Sequence, residues 1–115
     1  MKFTTSLKKN HEFRRVYARG KSVATPHVVL YCIRNRTQAN RLGITVGTKI
    51  GKAVKRNRVR RRLREIYRTN EESFTKGWDL VAVARVRAAD ATYERIKSDF
   101  LRASDKLGIL NKGAR

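Results

Sequence analysis

Residues 55–68 read KRNRVRRRLREIYR: seven arginines, one lysine and a single acid, Glu65. Guanidinium groups are planar, permanently charged and forked. They pair with phosphate oxygens two at a time and stack on exposed bases. Asn57, set among them, accepts as well as donates, so it can hold a base edge or a hydrated cation beside phosphate. The segment is built to bind a polyanion. Groups that could cut one are sparse. The nine acids are Glu12, Glu65, Glu71, Glu72, Asp79, Asp90, Glu94, Asp99 and Asp105, and only Glu71 and Glu72 are adjacent. Metal-assisted phosphodiester hydrolysis needs clustered carboxylates. A metal-free route needs two acid–base groups. The two histidines, His11 and His27, lie in separate segments and read as surface residues. No catalytic centre follows.

The arginines need a scaffold, and the same run supplies it. Val59, Leu63, Ile66 and Tyr67 recur at helical spacing and form one apolar face. At about 100° per residue, Asn57, Arg60, Arg61, Arg64 and Arg68 fall on the other face, with Arg56 and Arg58 flanking the first turn. Residues 53–69 are therefore predicted as a helix, packed on one side and basic on the other. Lys49, Lys52 and Lys55 form its lead-in. A charged face that is merely solvated tends to offset Arg with Glu at i,i+4, and here Glu65 stands nearly alone.

The remaining elements follow from periodicity. SLKKNHEFRRVYARG predicts a first helix with Phe13, Val16 and Tyr17 on one face and a stop at Gly20. Pro26 divides a short edge piece at 21–24 from a strand at 27–34. In RLGITVG, Leu42, Ile44 and Val46 alternate with Gly43, Thr45 and Gly47, giving a strand with one small-residue face. DLVAVARV is a further strand, entered at Trp78, and Thr92 caps a last helix with a Tyr93, Ile96, Phe100, Ala103, Leu107 stripe. The order α-β-β-β-α-β-α predicts an α/β fold, an α+β two-layer sandwich of three helices on about four strands. Its strand–helix–strand unit makes the strands at 41–47 and 79–85 parallel. One domain spans residues 1–115, with a frayed tail at 108–115.

Composition sets the class of partner. The chain has 115 residues, 29 Lys and Arg against 9 Asp and Glu, and a net charge of +20. At 40% hydrophobic it can build a core, yet so one-sided a charge repels itself until a polyanion relieves it. Nucleic acid is the leading partner. The start has no signal-peptide pattern and no segment is apolar enough for a membrane span, which predicts a cytoplasmic protein without a membrane partner. Cys32, the single cysteine, excludes an internal disulfide and reads as a small buried hydrophobe. Strands flanking the arginine helix disfavour a helix-turn-helix, so DNA is not expected.

RLGITVGTKIGKAVKRNRVRRRLRE, with Arg56-Asn57-Arg58 at its centre, resembles the signature of the bacterial ribonuclease P protein family. SLKKNHEFRRVYARGKSVATPHVVLY resembles the same family's amino-terminal segment, and the likeness runs over about residues 6–107. The resemblance implies a protein cofactor that binds a catalytic RNA and the 5′ leader of precursor tRNA, promoting endonucleolytic removal of the leader. It implies chemistry by Mg2+ on the RNA, with no metal held tightly by the protein; Asn57, by its own side-chain chemistry, is the one candidate contact. It assigns Lys52, Lys55, Arg56, Asn57, Arg58, Arg60, Arg61 and Arg64 to the RNA subunit, and Phe13, Tyr17, Tyr31 and Lys49 to a leader cleft. It also implies a left-handed crossover around the arginine helix, against the general rule. The alternative is a structural, ribosomal-type RNA binder, which needs the arginine comb and no cleft.

Overall fold

The structure is a computed structural model, and residues 1–111 are described. Three helices, α1 (Asn10–Arg19), α2 (Ala53–Asn70) and α3 (Tyr93–Lys106), combine with five strands. The strands are β1 (Thr4–Ser6), β2 (Lys21–Ala24), β3 (Val28–Arg34), β4 (Asn40–Thr45) and β5 (Trp78–Ala84). They form one mixed sheet in the order β1-β4-β5-β3-β2. The pairs β1·β4 and β4·β5 are parallel, and β3·β5 and β2·β3 antiparallel. The parallel relation of the strands flanking α2 is thus as the sequence predicts.

Alternation along the strands explains the layers. Leu30 and Cys32 on β3, Leu42 on β4 and Leu80 and Ala82 on β5 face α2 and α3. Val59, Leu63, Ile66 and Tyr67 of α2 and Ile96, Phe100 and Ala103 of α3 close that core. Tyr67, Phe74 and Phe100 link the two helices through ring contacts at 4.8 and 6.2 Å. Burial pushes the Cys32 thiol up to about 11, as fits an inert core residue. The intervening residues, Tyr31, Ile33, Val81 and Val83, point the other way and pack with Leu7, Phe13 and Val16. Helix α1 therefore lies on the face opposite α2 and α3, and the expected two-layer sandwich carries a third, partial layer.

Two further expectations need correction. The sheet has five strands, one beyond the about four expected, and the added one is β1. β1 consists of Thr-Thr-Ser and has no apolar alternation; it is fixed from outside by Glu71. The Glu71 carboxylate, only 4% exposed, accepts from the N–H groups of Lys2 at 2.7 Å and Phe3 at 3.1 Å. Thr4 Oγ1 shares a 2.7 Å hydrogen bond with Tyr67 OH. The second correction concerns the tail. Gly108, at φ 75°, turns the chain at the end of α3, a conformation that side-chain-bearing residues avoid. Ile109 is then fully buried, its C=O accepts from Thr75 N–H at 2.8 Å, and Leu110 bridges Phe74. The tail is docked through Asn111, and residues 112–115 lie outside the described residues.

Candidate nucleic-acid interface

Helix α2 presents the arginine comb as the wheel predicts. Its first turn carries no acid, and its N-cap, Lys52, makes no side-chain cap. The helix therefore adds its own partial positive end to the charge of Lys49, Lys52 and Lys55. Asn57, Arg58, Arg61, Arg64 and Arg68 are exposed, while Arg56 and Arg60 are half-buried. Arg60 Nη1 donates to Asn57 Oδ1 at 3.1 Å, so the two act as one unit. Arg62 is turned inward and donates to the Ala91 carbonyl at 2.9 Å. Arg56 Nε is buried without a hydrogen-bond partner. Glu65 is taken up by Arg68, which holds its carboxyl below the usual range, and Lys55 meets Asp90 at 3.2 Å. Neither exposed pair neutralises the face.

The aromatic residues assemble on the other side of the sheet. Tyr17 on α1 stands edge-on to Tyr31 on β3, with ring centroids 5.0 Å apart, and Phe13 lies 6.5 Å from Tyr17. The Tyr17 hydroxyl shares a 2.8 Å hydrogen bond with Thr45 Oγ1, yet the residue stays 38% exposed. The small-residue face of β4 is filled in part by the protein itself. A Cβ on Gly43 would stand 2.5 Å from the Phe13 ring, so glycine is what lets Phe13 lie on the strand. Lys49 is exposed in a 3-10 turn (Thr48–Ile50) that follows β4.

Comb and aromatic face meet at the sheet edge. β1 covers β4 only as far as Leu42, where Leu7 N–H donates to Leu42 O at 2.9 Å. Past that point Gly43–Thr45 has no strand on its outer side. A depression of about 260 Å³ opens there, and Phe13 from α1, Ile44 from β4, and Arg60 and Arg64 from α2 all line it.

Several ionisable groups outside this surface are taken up in pairs. Asp79, fully buried, receives Arg41 Nε at 2.9 Å and Nη2 at 2.6 Å, and Asn35 Nδ2 at 3.0 Å. Asp90 lies past the other end of β5, so the structure does not bring these two acids together. His11 is exposed. His27, read from sequence as a surface residue, is half-buried, and its Nδ1 pairs with Asp99 Oδ2 at 2.6 Å. Burial works to raise the Asp99 carboxyl, but hydrogen bonds from His27 and Arg102 outweigh it and hold it below the usual range. Among the described residues no three His, Cys, Asp or Glu side chains are grouped to share a metal ion. No helix among them is long and apolar enough to cross a membrane. Sequence reasoning missed the Arg41, Glu12 and Asp79 cluster, because Arg41 reads only as the first residue of a strand and its acids lie far off in the chain.

Residues 1–108 match the family model described as Ribonuclease P. The chain belongs to the ribonuclease P protein family. Members are the protein subunit of a ribonucleoprotein endoribonuclease of tRNA 5′ processing. A relative from Natranaerobius thermophilus, named ribonuclease P protein component, is 44% identical over 93% of this chain and 93% of its own. One from Clostridium botulinum with the same name is 47% identical over 91% and 96%. The RNase P protein of Staphylococcus aureus has a similar solved structure, with a TM-score of 0.85 and 33% identity over 92% of this chain and 97% of that one. Membership implies an RNA partner and favours the ribonuclease P reading over a ribosomal-type one.

Proposed function

We propose that the protein holds the catalytic RNA of ribonuclease P against the outer face of α2 and the 5′ leader of precursor tRNA against the aromatic face of α1 and β3. The observation that carries this reading is the depression at the β4 edge, where Phe13 shares a wall with Arg60 and Arg64. A single strand lying on the aromatic face reaches the arginine comb there across one shallow depression. Lys52, Lys55, Arg56, Arg58, Arg60, Arg61 and Arg64 neutralise phosphates of the RNA subunit, and Asn57, already held by Arg60, reads a polar edge beside them. Phe13, Tyr17 and Tyr31 offer ring faces to leader bases, and Lys49 adds charge at the rim. Aromatic faces beside positive charge are how proteins hold single strands without reading sequence.

The protein's part is electrostatic and positional. A polycation between two RNAs screens their repulsion and lowers the magnesium needed for assembly. Grip on the leader favours precursor over mature tRNA. Magnesium belongs with the RNA. The donor set around Asn57 is otherwise guanidinium, so any ion near it takes its remaining ligands from phosphate. The setting is the cytoplasm. The decisive assay is leader removal at low magnesium with protein alone, ribonuclease P RNA alone, and both. Cleavage only with both supports the reading, and Tyr17→Ala should then weaken precursor binding more than mature tRNA binding. Cleavage by the protein alone, or tight RNA binding without stimulation, refutes it.

A further inference from the structure

Helix α1 carries two of the three cleft aromatics, so the cleft is only as well defined as the placement of α1 on the sheet. The apolar contact beneath it is small: Val16 is its only fully buried residue. What fixes its amino-terminal end is an ionic bridge. Arg41, on β4, sends a fork of Nε and Nη2 to the buried Asp79 of β5, and its Nη1 donates to Glu12 Oε2 in the first turn of α1. Glu12 accepts in addition from the N–H of Lys9 at 3.0 Å, so the same carboxylate caps the helix. On the other side of the bridge Arg15 Nη1 stands 3.6 Å from Asp79 Oδ2, and Arg15 Nη2 donates to the Arg34 carbonyl at 3.3 Å. Phe13 follows Glu12 directly, and Tyr17 is one turn further on.

We propose that Arg41 is a positioning residue for the leader cleft: by joining Glu12 to Asp79 it sets where Phe13 and Tyr17 stand over β3 and β4, without itself touching RNA. This rests on the reading that the cleft holds the leader. A buried ion pair contributes little net stability compared with apolar packing. Its value here is geometric, since a planar fork satisfied at three points fixes both distance and orientation, which a hydrophobic contact does not. A lysine in place of Arg41 offers one ammonium and cannot span both carboxylates.

The test uses holoenzyme reconstituted with ribonuclease P RNA and reads the ratio of precursor to mature tRNA affinity. Glu12→Gln breaks the charged bridge but keeps an amide oxygen for the helix cap, and Arg41→Lys keeps a cation beside Asp79, so both variants leave the buried acid compensated. Each should lower the ratio by roughly three- to ten-fold, the range of coupling carried through a neighbouring residue. The salt dependence of RNA-subunit binding should not move, because the α2 face is untouched. In a Tyr17→Ala background either change should lower the ratio less, because only Phe13 is then left to displace. An unchanged ratio, equal losses on precursor and mature tRNA, or the same loss with and without Tyr17 would each overturn the proposal. If Tyr17→Ala alone leaves the ratio intact, it is the cleft reading itself that fails.

Discussion

Gly43→Ala is the sharpest probe of how the aromatic face is built. The added methyl would sit 2.5 Å from Phe13 Cε1, closer than carbon atoms approach, and a tight 3.3 Å from Leu7 Cβ. The β4 backbone is paired to β5 in this register and cannot retreat, so the Phe13 ring must move outward by about 1 Å to restore ordinary contact. Overpacking of this kind costs about 1–3 kcal/mol. Phe13→Ala alone loses a half-buried ring, roughly 2 kcal/mol by the area it covers. Combined, the two substitutions remove their own conflict, since the methyl added at position 43 then faces the space the ring has left. The double variant should be no less stable than Phe13→Ala alone, a coupling of about 1–3 kcal/mol, well above the ~0.5 kcal/mol error of additivity. Urea unfolding of the four proteins gives the cycle. Strict additivity would mean that Phe13 does not rest on Gly43, and the account of the small-residue face would be wrong.

Other outcomes are equally direct. Replacing Arg60 and Arg64 with Ala should weaken RNA-subunit binding and flatten its salt dependence by about 0.7–0.9 per lost phosphate contact; an unchanged slope removes them from the interface. Burial works to raise the Glu71 carboxyl, yet its hydrogen bonds with Thr4 and the N–H groups of Lys2 and Phe3 hold it below the usual range. A depressed carboxyl adds stability that is complete above its unfolded pKa, about 4, and is lost as pH falls through the folded value. Glu71→Gln should therefore flatten the acid limb of unfolding, whereas parallel limbs would show that the clamp on β1 does not titrate. A chain ending at Gly108 loses the buried Ile109 and should be less stable by about 2–3 kcal/mol, and an unchanged denaturation midpoint would contradict the docked tail.

Much of the architecture is legible where local pattern and tertiary role agree. The α2 run announces both its faces, since Val59, Leu63, Ile66 and Tyr67 are all buried and the guanidinium groups of Arg58, Arg61 and Arg64 are outside. Thr92 caps α3 by accepting from Arg95 N–H at 3.2 Å. Legibility fails where a segment is defined by a distant partner. Thr4–Ser6 has no strand pattern and becomes a strand because Glu71 and β4 hold it. Ile109 and Leu110 look like a fraying end because the residues that cover them, Phe74 and Thr75, belong to the turn before β5, far back in the chain. The candidate site divides the same way. Residue type points to Phe13, Tyr17 and Tyr31, but only the fold shows Gly43 receiving Phe13 and Arg41 tying α1 down.

The strand order bears on how the chain comes to be folded at all. β5 lies at the centre of the sheet, and β3 and β4 touch it but not each other. It is also the last strand to be synthesised. Until Trp78–Ala84 leaves the ribosome, a β2–β3 hairpin and a β1–β4 pair lack the strand that joins them into one sheet, and α1 bridges them through side-chain contacts. The basic helix precedes β5 in the chain, so its apolar face waits for Phe74 and Phe100. Closure is thus a single late event over long sequence separations, which makes folding slow for a chain of this length. An interrupted product ending before Trp78 would lack the central strand and leave a polycation with its core face uncovered.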